Sequence, residues 1–201
     1  MKYRQLGRTG LQVSALSFGA SSLGGVFRNI DEAEGIRTVH VALEEGINLI
    51  DVAPYYGQTR AESVLGKALR GIPRESYYLA TKVGRYGVRE FDFSSRRVTE
   101  SVDESLGRLG TDHIDLIQVH DIEFGSLDLV IEETLPALRE LQRSGKVGHV
   151  GITGLPVGIF SRVAQRAEVD TVLSYSRYCL NDISLLGILP ELEERGVGVL
   201  T

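Results

Sequence analysis

Residues 94–120 read SSRRVTESVDESLGRLGTDHIDLIQVH, and they hold both halves of the pattern that decides the fold. Val98, Val102, Leu106 and Leu109 recur at three- and four-residue spacing, which predicts a helix with one apolar stripe. The IDLIQVH that follows is short and mostly apolar, as a strand covered on both faces is. The same pair of elements recurs in both directions along the chain. Upstream, Asp31 followed by Glu32 and Glu34 is a helix start, with Ile36, Val39, His40 and Leu43 on one face and Gly46 as its stop. INLIDVA (47–53) is the next strand, and AESVLGKALRG (61–71) is a helix before strand YYLATKVG (77–84). Downstream, IEETLPALRELQRSG (131–145) leads to VGHVGITG (147–154), with Pro136 either kinking that helix or moving its start to Leu135 or later. VGIFSRVAQRAE, TVLSYSRY, ISLLGILPELEERG and VGVLT complete the series. At the other end, YRQLGRTGLQVSALSFG (3–19) predicts a small hairpin turning at Arg8-Thr9-Gly10, suited to plugging one end of a barrel.

Strand and helix alternate with no long linker or compositional break, which predicts one parallel α/β domain over residues 1–201. Barrels and open doubly wound sheets both alternate in this way. An open sheet usually carries a glycine-rich phosphate loop after its first strand, but FGASSLGGVF has glycines at 19, 24 and 25, which do not spell G-x-G-x-x-G. Gly66-Lys67 and Gly145-Lys146 lack the rest of a P-loop. The expectation is a (β/α)8 TIM barrel, incomplete, with about seven strands present and the final strand and last two helices missing.

The composition is that of an ordinary globular chain, 42% hydrophobic and 24% charged, with a formal charge of -5. The basic residues are scattered, which argues against nucleic acid as a partner, and no apolar run approaches the roughly 20 residues that span a bilayer. The only cysteine, Cys179, cannot form an internal disulfide, and MKYRQLGRTG lacks the apolar core of a signal peptide. The expected location is cytoplasmic. Cys179 reads as buried filler, and His40, His113 and His149 lack the spacing of metal ligands, so no metal is expected.

Four polar residues stand at or just past the ends of successive strands: Asp51, Tyr56, Lys82 and His120. In a barrel those ends converge on one face, where active sites are built. A tyrosine, with an ordinary pKa of about 10, exchanges protons near neutral pH only if something stabilises its phenolate. The ammonium of Lys82 can do this, Asp51 can hold that ammonium in place, and His120 can orient a substrate oxygen beside Tyr56. Each residue alone has a plainer reading. Asp51 could be a cap, Tyr56 a rim aromatic and Lys82 a solvated charge, while Asp121 could cap the segment after His120.

INLIDVAPYYG, LATKVG, DLIQVHD and the strand-end GITG resemble the signatures of the aldo-keto reductase family, in the right order on the right elements. The resemblance implies Tyr56 as general acid or base, Lys82 and Asp51 as the groups that tune it, and His120 as the group that orients the carbonyl. It also implies NAD or NADP, with the nicotinamide near Gly19, Ala20, Asp51, Thr153 and Gly154. Many members place a Gln within the segment matching TVLSYSRY; here Ser174 is the residue offered in its place. YRQLGRTGLQVSALSFG, RTVHVALEEGINLIDVAPYYG, DLIQVHDIEFG and LSYSRYCLND most resemble the branch of L-galactose dehydrogenase and related aldose 1-dehydrogenases. That branch implies an enzyme oxidising the C1 hydroxyl of an aldose to a lactone, or reducing a small carbonyl in reverse. Family members continue for about a hundred residues beyond Thr201. The alternative is therefore a catalytically inactive barrel fragment or short isoform with an interaction or regulatory role. The oligomeric state is left open.

Overall fold

The computed structural model describes residues 1–26 and 28–201. Strands β1 (Tyr3–Gln5) and β2 (Gln12–Ser14) form the expected antiparallel hairpin, turning through Gly7–Thr9. Seven further strands form one sheet: β3 (Phe18–Gly19), β4 (Leu49–Asp51), β5 (Tyr78–Val83), β6 (Ile114–Val119), β7 (Val147–Gly154), β8 (Thr171–Ser174) and β9 (Gly198–Leu200). Their spatial order is their order in the chain, and every adjacent pair is parallel. A doubly wound sheet must reverse order at a switch point, so this uninterrupted sequence is that of most of a (β/α)8 barrel.

The helices arise where the apolar periodicity places them. Helix α1 (Glu32–Glu44) begins at Asp31, whose carboxylate accepts the Glu34 N–H, and α3 (Ser95–Leu109) begins at Ser94, whose hydroxyl accepts the Arg97 N–H. Helix α2 (Arg60–Leu69) lies between them in the chain. The helix containing Pro136 starts at Leu135, one of the two readings the sequence allowed, and further helical turns precede it. A short turn, α4 (Leu127–Leu129), passes through a π-helical turn at Val130–Thr134 into α5 (Leu135–Arg143). Proline removes one amide donor, and the wider turn, in which the Leu135 N–H reaches the Val130 carbonyl, accommodates the loss without ending the helix. Helices α6 (Gly158–Ala164) and α7 (Leu189–Glu194) are shorter than their apolar runs. Cys179 is exposed, in the irregular segment after β8, and not buried as expected.

Two cores result from strand alternation. Outward residues such as Ile50, Leu79, Val83, Ile117, Val119, Val150, Ile152 and Val172 pack under the helices. The carboxylate of Glu62 on α2 is completely buried between the outward hydroxyl of Thr81, 2.6 Å away, and the Arg108 Nε, also 2.6 Å away. The inward residues Leu49, Ala80 and Leu116 instead meet Leu6 and Val13 of the hairpin. That small cluster contains no helical residue, so it is the barrel floor, and the hairpin closes it from below. The Arg8 N–H donates to the Gly196 carbonyl at 2.7 Å, tying the hairpin to the turn before β9. Among the described residues no helix is long and apolar enough to cross a membrane.

Candidate active site

Alternation above the apolar floor brings the chemistry inward. Two residues on from Leu49 is Asp51, two on from Ala80 is Lys82, and from Leu116 the same step reaches Gln118 and then His120. Lys82 pairs in register with Gln118. Its ammonium is buried and donates to Asp51 Oδ1 and, at 3.0 Å, to the Val52 carbonyl. Gln118 Nε2 donates to the other Asp51 oxygen at 2.7 Å, so the carboxylate is held from two strands. Burial alone would lower the Lys82 pKa; the charge of Asp51, with Tyr56 adding to it, outweighs this and raises the pKa above its ordinary value. A permanent cation therefore stands inside the barrel.

Tyr56 arrives from the loop after β4, with the Lys82 ammonium 5.0 Å from its ring centroid. Two glycines allow the loop to sit there. A Cβ on Gly24 would lie 2.5 Å from the Tyr56 carbonyl oxygen, and one on Gly57, at φ +63, would lie 2.1 Å from the Gly24 carbonyl oxygen. Backbone thus packs directly on backbone at a spacing no other residue permits. Burial raises the Tyr56 pKa, Lys82 pulls it down and Asp51 pushes it up; the net direction is upward. The sequence expectation that Lys82 favours the phenolate holds for its sign, but desolvation is larger. At neutral pH Tyr56 is a phenol.

His120 lies edge-on to both Tyr55 and Tyr56, with ring centroids 5.9 and 5.8 Å apart. Burial first, then the charges of Lys82 and Arg85, hold its pKa well below the ordinary value, so the ring is neutral. Its neighbour Asp121 does not cap the following turn. The Asp121 carboxylate pairs with Arg85, and its backbone N–H donates to Thr153 Oγ1 at 2.9 Å.

The residues expected around a nicotinamide are less closely gathered. Gly19 pairs in register with Asp51, and a Cβ there would meet open space; Ala20 is completely buried. Thr153 shares the inward parity, whereas Gly154 and Ser174 pair with each other on the parity of the outward residues Ile152 and Val172. A Cβ on Gly154 would strike Ile159 and Glu123. The Ser174 hydroxyl is buried without a partner among the described residues. Gln118, Arg85 and Asp121 had not been singled out as site residues. Gln118 was recognisable only by its two-residue spacing from His120.

A family model described as the aldo/keto reductase family matches residues 15–201. The chain is 50% identical to L-galactose dehydrogenase of Arabidopsis thaliana, over all of this chain and 64% of that protein. It is 31% identical to D-threo-aldose 1-dehydrogenase of a Pseudomonas species, over 95% of this chain and 65% of that one. Among solved structures, the holo form of aldo-keto reductase AKR11C1 from Bacillus halodurans superposes with a TM-score of 0.86 at 36% identity, covering 99% of this chain and 65% of its own. The chain thus spans somewhat under two thirds of the length of these relatives. With a parallel barrel, inward strand-end residues and this match along nearly its whole length, the chain belongs to the aldo/keto reductase family.

Proposed function

We propose that the chain carries the catalytic centre of an NAD(P)-dependent oxidoreductase acting at C1 of an aldose. The reaction would oxidise the C1 hydroxyl of a sugar such as L-galactose to a lactone, or reduce a small carbonyl in the opposite direction. The observation that carries this reading is the buried Lys82 ammonium, fixed by Asp51 and the Val52 carbonyl beside Tyr56. The relatives named for aldose oxidation supply the substrate class.

The residues present fit the nicotinamide end of the cofactor, since Gly19, in register with Asp51, leaves open space beside it. Gly19, Ala20, Asp51 and Thr153 would hold it, while Gly154 and Ser174 share the outward parity. When bound, the nicotinamide supplies the acceptor or donor of hydride. The chain's own residues handle the proton and the oxygen. His120, uncharged, donates a hydrogen bond to the substrate oxygen without surrendering its proton. Tyr56 gives a proton to that oxygen in reduction and takes one in oxidation. Lys82 stabilises the phenolate in either direction, and Asp51 with Gln118 keeps Lys82 aimed.

The test is turnover of L-galactose, L-fucose, D-arabinose and simple aldehydes, followed by nicotinamide absorbance, beside a fluorescence titration with NADH and NADPH. Replacing Tyr56 by Phe is expected to cost at least about 100-fold in kcat with cofactor affinity nearly unchanged. Retained turnover would remove Tyr56 from the role. Absence of cofactor binding by the unaltered chain would favour the interaction-protein alternative.

A further inference from the structure

Arg85 and Asp121 form an ion pair beside His120. The Arg85 guanidinium lies over the Tyr55 ring, its carbon 3.8 Å from the centroid, with Phe91 and Phe124 at 5.4 and 5.8 Å. Asp121 Oδ2 accepts from Arg85 and stands 3.7 Å from His120 Nε2, too far for a hydrogen bond yet close enough to act on the ring electrostatically. Asp121 adopts φ +51, a left-handed conformation that costs a non-glycine residue about 1 kcal/mol. No cap rewards that conformation; the contact between its N–H and Thr153 fixes it.

A neutral imidazole carries its proton on one nitrogen, and the usual selector is a hydrogen bond made by the other. Here His120 Nδ1 is buried with no partner among the described residues, so that selector is absent. The carboxylate near Nε2 is the remaining one. It attracts an N–H and repels a lone pair. Unopposed, however, it would also draw a second proton onto the ring, and an imidazolium beside Lys82 would no longer be a neutral donor.

We propose that Asp121 is a positioning residue that fixes His120 as the Nε2–H donor, and that Arg85 cancels the carboxylate's charge so that the ring stays neutral. The pair thereby separates choice of tautomer from choice of charge. The other charged and titratable groups facing the ring are Lys82 with Asp51 from β5 and β4, and Tyr55 and Tyr56 from the loop after β4. Beyond Asp121 lie Glu123 and Tyr175, hydrogen-bonded to each other at 3.2 Å. The direction of the His120 shift agrees, since burial, Lys82 and Arg85 all lower it. The inference rests on His120 serving a substrate oxygen, as in the proposed function, but its test reads the ring itself.

Long-range proton–nitrogen spectra of the purified chain, titrated with acid and assigned by the signal lost in His120→Gln, report tautomer and charge. The unaltered chain is expected to show the Nε2–H form. In Arg85→Met the midpoint rises by about 1 to 3 pH units, and Arg85→Lys restores it. In Asp121→Asn the ring stays neutral but the two tautomers mix. An Nδ1–H ring in the unaltered chain, or an unchanged midpoint in a folded Arg85→Met chain, overturns the proposal. Should Arg85→Met fail to fold, Asp121→Asn decides: a tautomer ratio equal to that of the unaltered chain overturns it. The expected spectra in a chain without turnover would leave this inference standing while the enzymatic reading fell.

Discussion

A phenol buried near one ammonium and two carboxylates titrates according to which influence is largest, and at Tyr56 desolvation is. The sign has a kinetic consequence. With the pKa raised above 10, the phenolate fraction grows about tenfold per pH unit throughout the neutral and mildly alkaline range. Oxidation, which needs Tyr56 as base, is therefore expected to accelerate with pH, while reduction, which needs the phenol, stays level over the same range. Lys82→Met removes the strongest lowering influence and should move the oxidative rise to still higher pH, at a large cost in kcat. A pH–rate series in both directions checks this, and a level oxidative profile would contradict it. Asp51, Tyr56, Lys82 and His120 were visible in the sequence because each stands at or just past the end of an apolar strand. Arg85 and Asp121 were not. Their contact joins residues 36 apart, and nothing local to either announces the other.

The loop bearing Tyr56 and the 3-10 turn at Ala20–Gly24 touch through bare backbone. Gly57→Ala would add a methyl group 2.1 Å from the Gly24 carbonyl oxygen, at a φ of +63 that favours glycine. The two segments must separate, and Tyr56 moves with them. The expected loss is about 1–3 kcal/mol in urea unfolding, with a fall in kcat of about 100-fold from misplacement of the hydroxyl. An Ala variant with undiminished kcat would show that the contact does not position the phenol. Elements with a local signal were legible: Asp31 and Ser94 cap the helices their sequences announce. The helical turns that run from Leu127 into Leu135 were not, because proline ordinarily marks a boundary and here a wider turn accommodates it. Nor does periodicity reveal that Gly24 meets Gly57, a contact made between two loops.

For the molecule as a whole, one buried and one half-buried neutral histidine make stability depend on pH. Both His120 and His149 have lowered pKa values in the fold, desolvation being the first cause in each. The unfolded chain takes up these protons near pH 6.5 and the folded chain only below that, so between the two the unfolded state binds more protons. Stability is then complete above about pH 6.5 and is lost as pH falls through the folded values. Thermal midpoints measured from about pH 7.5 to 5 should decline, and His120→Gln should make the decline shallower. An unchanged slope in that variant would place the acid sensitivity elsewhere. Barrel order was legible in the alternation of elements, but the absence of a switch point required the strand neighbours themselves. The floor of the barrel carries a different consequence, one of timing. Arg8 and Gly196 share a hydrogen bond across nearly the whole chain. At ribosomal speeds of about 5–20 residues per second, the hairpin leaves the tunnel on the order of 10 to 40 s before its partner exists. During synthesis Leu6 and Val13 wait with part of their eventual cover unmade, and this end of the barrel is the one a nascent-chain chaperone would first encounter.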